Sequence, residues 1–386
     1  MENTRIAWLV PAVRRGAYWQ PVLSHFTKIY PHTKFYTGQT WPGFDPEAPG
    51  ANVITVIGKY RFQETQTIES GYNRGIIIVS PTVVFPLLKF KPNVVLASSF
   101  SIWTLLAILL KPIGQWKLIL IHDGSSSNVD FRDDPLRLKI RRWMIQFVDR
   151  VIANSRYGKD YLVEFVGVPL EKIMNRPYLV PDTQTLLEQQ ATIEPASVEL
   201  KRPVFLCVGL LVPRKGVKKL LEACHILQKK GYSNYSLVLV GDGEQREELE
   251  SFVNENHLQE QVTWTGWLKY GELGPYFRAA DVFIFPTLED IWGVVLLEAM
   301  AFGKAIIASK WAGSSEMVIE GENGYVIDPY EPEKFAQVMM RLIDDPELME
   351  KMGQTSQKLM AEHNAEKAGL FLASQVEKVL EKQNKT

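Results

Sequence analysis

Two cysteines in 386 residues cannot build a disulfide framework, and so few fit a reducing compartment. Net charge is nearly absent too: 43 Lys and Arg stand against 44 Asp and Glu, a total of -1. That balance lacks the cation excess of a nucleic-acid binder. There is no low-complexity tract and no repeat of short fixed period. A largely disordered chain is excluded by 46% hydrophobic and 23% charged residues. One stretch lacks charge, between Lys91 and Lys111, but Ser98 and Ser99 interrupt it. It reads as a buried strand at 94–97, serines capping a helix, and an apolar helix at 102–110, not a membrane span. The apolar run 6–10 behind Glu2 does not make a secretory leader. A Walker phosphate loop is missing, and so is the dinucleotide fingerprint, because Arg246 stands where its third glycine belongs.

What is present is alternation. At about 150 residues per domain the length suggests two domains or three. Short apolar runs at 6–10, 53–57, 76–79, 94–97, 118–121 and 151–153 read as strands, with helices expected at 17–29, 102–110, 135–147 and 158–165. A polar stretch at 181–202 interrupts the pattern. Strands then resume at 204–208, 236–240, 262–264, 282–285, 305–308 and 325–327, again separated by helix-length segments. The expectation is two Rossmann-like doubly wound α/β domains facing each other across a cleft. Ligands of such sheets sit beyond the carboxyl ends of strands, so the loops there are the informative ones.

Three loops stand out. After the strand at 204–208 come Gly209, Arg214, Lys215 and Gly216, followed by a helix at 217–229. Two cations beside a helix start offer a diphosphate both charge and backbone amides; a solvated basic turn has the same composition. After 236–240 come Gly241, Asp242 and Gly243, a weak G-x-G, with Asp242 read as a cap or half of an acidic pair with Glu244. After 282–285 come Glu289, Asp290, Ile291, Trp292 and Gly293, opening a helix at Val294 that carries Glu298. Eight residues at ~1.5 Å each place Asp290 and Glu298 up to ~12 Å apart along the axis. That is too far to share one metal or one proton, but suited to hydroxyl-rich groups flanking a diphosphate at a helix N-terminus. An acid in so apolar a helix needs a partner.

Eight pieces in order make these loops resemble the donor-binding half of the family 4 retaining glycosyltransferases of GT-B fold. They are Val208-Gly209 with Lys215-Gly216-Val217, Leu239-Val-Gly-Asp-Gly243, Thr265-Gly266-Trp267, Ala280-Asp281-Val282, Phe285-Pro286-Thr287, Asp290-x(7)-Glu298-Ala-Met-Ala-x-Gly303, Gly313-x-x-Glu316 and Gly324-x(4)-Pro329. The resemblance implies transfer of a hexose from a nucleotide diphosphate sugar with retention, without a bound metal or other cofactor. It assigns the diphosphate to Lys215 and Arg214, the ribose hydroxyls to Glu298, and the sugar to Asp290 and the amides near Trp292 and Gly293. Gly266 and Trp267 fall near the base. His122, at the end of the strand 118–121, matches the family's cleft histidine, and Asn154-Ser155 has a family look. Gly16 stands in a poorly matched first glycine loop. The donor-site set thus comprises Gly16, Gly209, Gly243, Gly266, Trp267, Glu289, Ile291, Trp292, Gly293, Val294 and Glu298, with His122, Arg214, Lys215 and Asp290 catalytic. Asp290 replaces the usual glutamate, and Leu210 a usual arginine that Arg214 substitutes.

The expected domains are 1–180 for the acceptor and 200–365 for a UDP- or GDP-sugar, with a helix at about 366–386 packing back on the first. The alternative is a nucleotide-sugar-binding protein or an epimerase on the same fold. No retaining-glycosidase pair of carboxylates is evident, so front-face substitution within an ion pair is expected. The near-zero total hides a gradient: residues 1–180 hold 22 Lys and Arg against 13 Asp and Glu, whereas 181–386 hold 21 against 31. The basic half also pairs cations with Trp103 and Trp143. An anionic membrane surface is therefore an expected partner beside a saccharide or lipid acceptor, with a cytoplasmic, peripheral location.

Overall fold

The computed structural model describes residues 3–12, 18–41, 44–68, 71–182, 187–188, 200–268 and 272–381. The chain divides into two compact units, one of Met1–Thr67, Asn73–Asp182 and His363–Thr386, the other of Ile68–Tyr72 and Thr183–Glu362.

The first unit contains β1 (Ile6–Leu9), α1 (Trp19–Ile29), β2 (Thr33–Thr37), β3 (Ile54–Val56), β4 (Tyr60–Gln66), β5 (Arg74–Val79), α2 (Val84–Phe90), β6 (Val94–Ser98), α3 (Ile102–Gly114), β7 (Lys117–His122), α4 (Pro135–Ile145), β8 (Arg150–Ala153), α5 (Arg156–Glu164) and β9 (Ile173–Asn175). Its main sheet runs β3-β2-β1-β6-β7-β8-β9, every pair parallel. Both faces are covered, so β6 and β7 read as continuous apolar runs. The charge-free stretch is β6 followed by α3. Among the described residues no helix is long and apolar enough to cross a membrane. The cap differs from expectation: Ser101 accepts the Thr104 amide at 3.2 Å, while Ser98 ends the strand and Ser99 takes a positive φ. The run at 76–79 also lands elsewhere. It pairs antiparallel with β4 outside the main sheet, leaving Ile76, Ile77 and Ile78 exposed.

The second unit contains β10 (Val204–Val208), α6 (Val217–Lys229), β11 (Ser236–Val240), α7 (Arg246–Glu255), β12 (Val262–Gly266), α8 (Gly274–Ala279), β13 (Val282–Phe285), α9 (Val294–Ala301), β14 (Ala305–Ser309), β15 (Gly324–Ile327), α10 (Pro332–Asp344) and α11 (Pro346–Ala361). Its parallel sheet runs β12-β11-β10-β13-β14-β15. The order reverses between β10 and β13, and there the loops splay apart to leave a crevice. Helices α6, α7, α10 and α11 all contribute to one continuous core, and α9 and α11 also pack against β14. The last helix, α12 (Ala365–Glu381), leaves this unit and packs on α1 of the first.

Candidate active site

The crevice of the second sheet is made by the loops after β10 and β13. Beyond β10 the chain runs through Gly209 to a single 3-10 turn, Pro213–Lys215, then Gly216 and α6. The Arg214 carbonyl accepts the Leu288 amide at 2.7 Å and the Thr287 hydroxyl at 2.9 Å, which stitches the basic loop to the acidic one. Gly216 makes the approach possible: at φ +67° a Cβ there would stand 2.1 Å from the Pro286 carbonyl oxygen.

Chemistry converges on Asp290. Lys215 Nζ donates to its Oδ2 at 2.5 Å, with Arg214 Nη1 3.8 Å from the same oxygen, and all three side chains are buried or nearly so. Arg214 Nη1 makes no hydrogen bond among the described residues. The Asp290 backbone is fixed to the loop after β14, its N–H donating to Trp311 and its carbonyl accepting from Gly313. Sequence reading assigned Lys215 and Asp290 to separate parts of a ligand; in the chain alone they neutralise each other. The Lys215 charge also acts on Cys207, although burial dominates and pushes that thiol up to about 12.

Gly293, at φ +94°, begins α9 with no side-chain cap, so the first amides of that helix have no partner from a capping side chain. Trp292, Val294 and Glu298 are buried with α9, and Ile291 lies against the Gly313 backbone. Gly209 and Gly243 sit in neighbouring loops joined by the Leu211 amide donating to Asp242 at 3.0 Å. The Asp242 side chain accepts from Gly243 and caps no helix, since α7 begins after Gln245. Gly266 ends β12, and Trp267 beside it is exposed. Gly16 lies outside the described residues. Among the described residues no three His, Cys, Asp or Glu side chains group to hold a metal ion.

Two contributors escape the sequence. Tyr72, which folds with this unit, donates its amide to Glu289 Oε2 at 2.9 Å and sets its ring 4.2 Å from the Arg214 guanidinium. Ser314 keeps a buried hydroxyl without a hydrogen-bond partner among the described residues, near Gly293. Tyr72 lies in no motif and Ser314 falls on an unspecified position of Gly313-x-x-Glu316; both arrive through loop packing.

The first unit presents a second cluster, around His122 at the end of β7. Ser99 Oγ lies 3.0 Å from its Nδ1, and the ring stacks on Tyr161. Its buried Nε2 has no hydrogen-bond partner among the described residues. Asp130, unannounced by the sequence, accepts Ser125 at 2.5 Å and Arg132 at 2.6 Å, and Arg141 reaches its carbonyl and the Tyr161 hydroxyl. Burial, aided by Arg141, lowers the His122 pKa to about 4, so the imidazole is neutral at pH 7. Asn154 accepts the amides of Tyr178 and Leu179, both at 2.8 Å, and Ser155 caps α5.

Asp123, next in sequence, goes the other way: burial raises its carboxyl to about 6, against the Tyr178 hydroxyl bond that lowers it. The two groups give opposite pH dependence. His122 stabilises the fold fully above pH 6.5 and loses that contribution as pH falls through 4. Asp123 contributes fully below pH 3.8 and loses it as pH rises through 6. Each is worth on the order of 3 kcal/mol, so in the wild type they largely cancel. Urea unfolding from pH 4 to 6.5 should show Asp123→Asn losing stability toward acid and His122→Asn losing it toward neutrality. Parallel curves for the two variants would sink this assignment.

Both halves match family models. Residues 43–174 match Glycosyltransferase Family 4 and residues 189–359 match Glycosyl transferases group 1. HepE of Anabaena, solved in complex with UDP, superposes with a TM-score of 0.74 at 17% identity, covering 97% of this chain and 100% of its own. The fold is thus the GT-B fold of glycosyltransferases. More particularly, this chain belongs to the family 4, group 1 glycosyl transferases. An alpha-D-kanosaminyltransferase of Streptomyces kanamyceticus is 27% identical over 235 residues, 59% of this chain and 60% of that protein. A GDP-mannose-dependent alpha-(1-6)-phosphatidylinositol monomannoside mannosyltransferase of Mycolicibacterium smegmatis is 31% identical over 160 residues, 39% of this chain and 41% of its own. The match thus spans less than two thirds of either relative.

Proposed function

We propose that the protein transfers a hexose from a UDP- or GDP-sugar to a hydroxyl acceptor, with retention and without a bound metal. The observation that carries the reading is the Lys215–Asp290 pair, with Arg214 beside it, at the switch point of the second sheet and close to the start of α9. Breaking an anomeric C–O bond to a diphosphate builds negative charge on the leaving oxygen, and buried cations with helix amides stabilise it best. Arriving diphosphate would compete with Asp290 for Lys215, releasing the carboxylate toward sugar hydroxyls. Glu298 suits the ribose hydroxyls. In the step itself the acceptor oxygen bonds to the anomeric carbon on the face the diphosphate leaves, and a departing phosphate oxygen takes the acceptor proton. A neutral His122 imidazole is suited to hydrogen-bond a hydroxyl group.

UDP in the HepE complex and GDP-mannose in the mannosyltransferase's name support the two donor classes. The phosphatidylinositol monomannoside in that enzyme's name and the basic first half support a lipid-linked acceptor at a cytoplasmic membrane face, beside a growing saccharide. Thermal unfolding with UDP, GDP and their hexose conjugates tests the reading. One nucleotide series should stabilise the fold, by about 2.7 kcal/mol at a hundred times its Kd, and NMR of the product should show the donor's anomeric configuration. No stabilisation by any of them ends the proposal. Stabilisation without turnover indicates a binding protein, and sugar inversion without acceptor indicates an epimerase.

A further inference from the structure

Helices α2, α3 and α4 cover one face of the first sheet and share its core. Leu87, Trp103, Ala107, Ile108, Leu138, Met144 and Ile145 all bury into it. Lys111 of α3 ties its amine to the Phe147 carbonyl just past α4 at 2.7 Å, so α3 and α4 are neighbours. Their outward sides are also apolar. Ile102, Leu109 and Ile113 recur at helical spacing on α3, and Leu136, Ile140, Trp143 and Phe147 do so along α4 and the turn beyond it. Ile113 is 74% exposed, Leu136 67% and Phe85 of α2 70%. A helix apolar on both sides is ordinarily buried on both, and contiguous exposed apolar surface marks an interaction site.

The charge around this strip chooses the occupant. None of the three helices contains an acidic residue. Lys89, Lys139 and Arg142 are exposed and form no ion pair among the described residues. The carboxylates bordering the face are already engaged, Asp133 by Arg74, Asp134 by Arg137 and Asp149 by Lys111. A second copy docked by two-fold symmetry would set these cations against themselves. Apolar side chains with a tryptophan, edged by cations on helices lying side by side, fit an anionic lipid surface instead.

We propose that the outer face of α2–α4 docks this unit on an anionic bilayer. Ile113, Leu136, Ile140 and Trp143 enter the acyl boundary, and Lys89 and Lys139 meet the headgroups. The proposal deepens the reading of a membrane-associated transferase, yet its test needs no sugar donor. Full-length protein is floated with vesicles of phosphatidylcholine alone and of phosphatidylcholine mixed with phosphatidylglycerol. The wild type should float only with the mixed vesicles. Leu136→Gln/Ile140→Gln and, separately, Lys89→Glu/Lys139→Glu should weaken association about tenfold or more, while thermal unfolding and nucleotide binding stay unchanged because these side chains face solvent. No flotation with either vesicle overturns the proposal, as does flotation of both variants like wild type. A solution dimer that Leu136→Gln/Ile140→Gln dissociates would assign the face to self-association and also overturn it. Loss of nucleotide binding in the wild type would bear on the transferase reading alone.

Discussion

Lys215→Ala should lower kcat/KM for the cognate nucleotide sugar about a hundred- to a thousandfold, the usual cost of removing one preorganised group facing a developing oxyanion. The same change removes the nearest cation from the Asp290 carboxylate, which is buried and bonded to Lys215 at 2.5 Å. Breaking a buried ion pair from one side costs about 3–5 kcal/mol. The loss should fall toward the lower end, because Arg214 remains 3.8 Å away and can close on the carboxylate. Low activity alone would therefore not separate chemistry from folding. The double variant Lys215→Met/Asp290→Asn does, since it removes both charges and keeps both shapes. Denaturant unfolding should show most of the lost stability restored, whereas steady-state kinetics should show no return of activity. If activity returned with stability, Lys215 would be a structural partner of Asp290 and the leaving group would have to be stabilised by Arg214 and α9.

Why the pair escapes a reading of the sequence is a matter of topology. Each residue is legible at its own strand end, but 75 positions separate them, and only the adjacency of β10 and β13 brings them together. All six strands of the second sheet are legible because parallel strands covered on both faces are continuous apolar runs. In the first sheet β2 escapes, since Thr33, Lys34 and Thr37 break its run although four of its five residues are buried. β9 is three residues long, too short to show a pattern. The isoleucines of β5 mislead in the opposite sense: an apolar run implies burial, yet pairing with the polar β4 keeps it exposed. His122 is found by its place after a strand. Its partners Asp130, Arg141 and Tyr161 are not, because a loop and two separate helices supply them.

The same adjacency makes Gly216→Ala a severely damaging single methyl in the second unit. Alanine at φ +67° meets the ordinary left-handed penalty of about 1–2 kcal/mol. Its Cβ would also stand 2.1 Å from the Pro286 carbonyl oxygen, and backbone cannot rotate aside as a side chain can. Either the α6 start or the Pro286–Thr287 turn must move, and the move breaks the bonds from Leu288 and Thr287 to the Arg214 carbonyl. Gly231 supplies the control: its φ is +86°, and nothing lies within 4 Å of the place a methyl would take there. Gly231→Ala should cost only the conformational penalty, while Gly216→Ala should cost about 4 kcal/mol or more, in the range reserved for steric failure. Urea unfolding compares them directly. Wherever Gly216→Ala remains folded, Lys215 should have lost its register with Asp290, so nucleoside-diphosphate affinity should fall with stability. Equal stability for the two variants would mean that the contact with Pro286 does not hold the basic loop. The placement of Lys215 would then have to come from its own pairing with Asp290 rather than from the backbone beneath it.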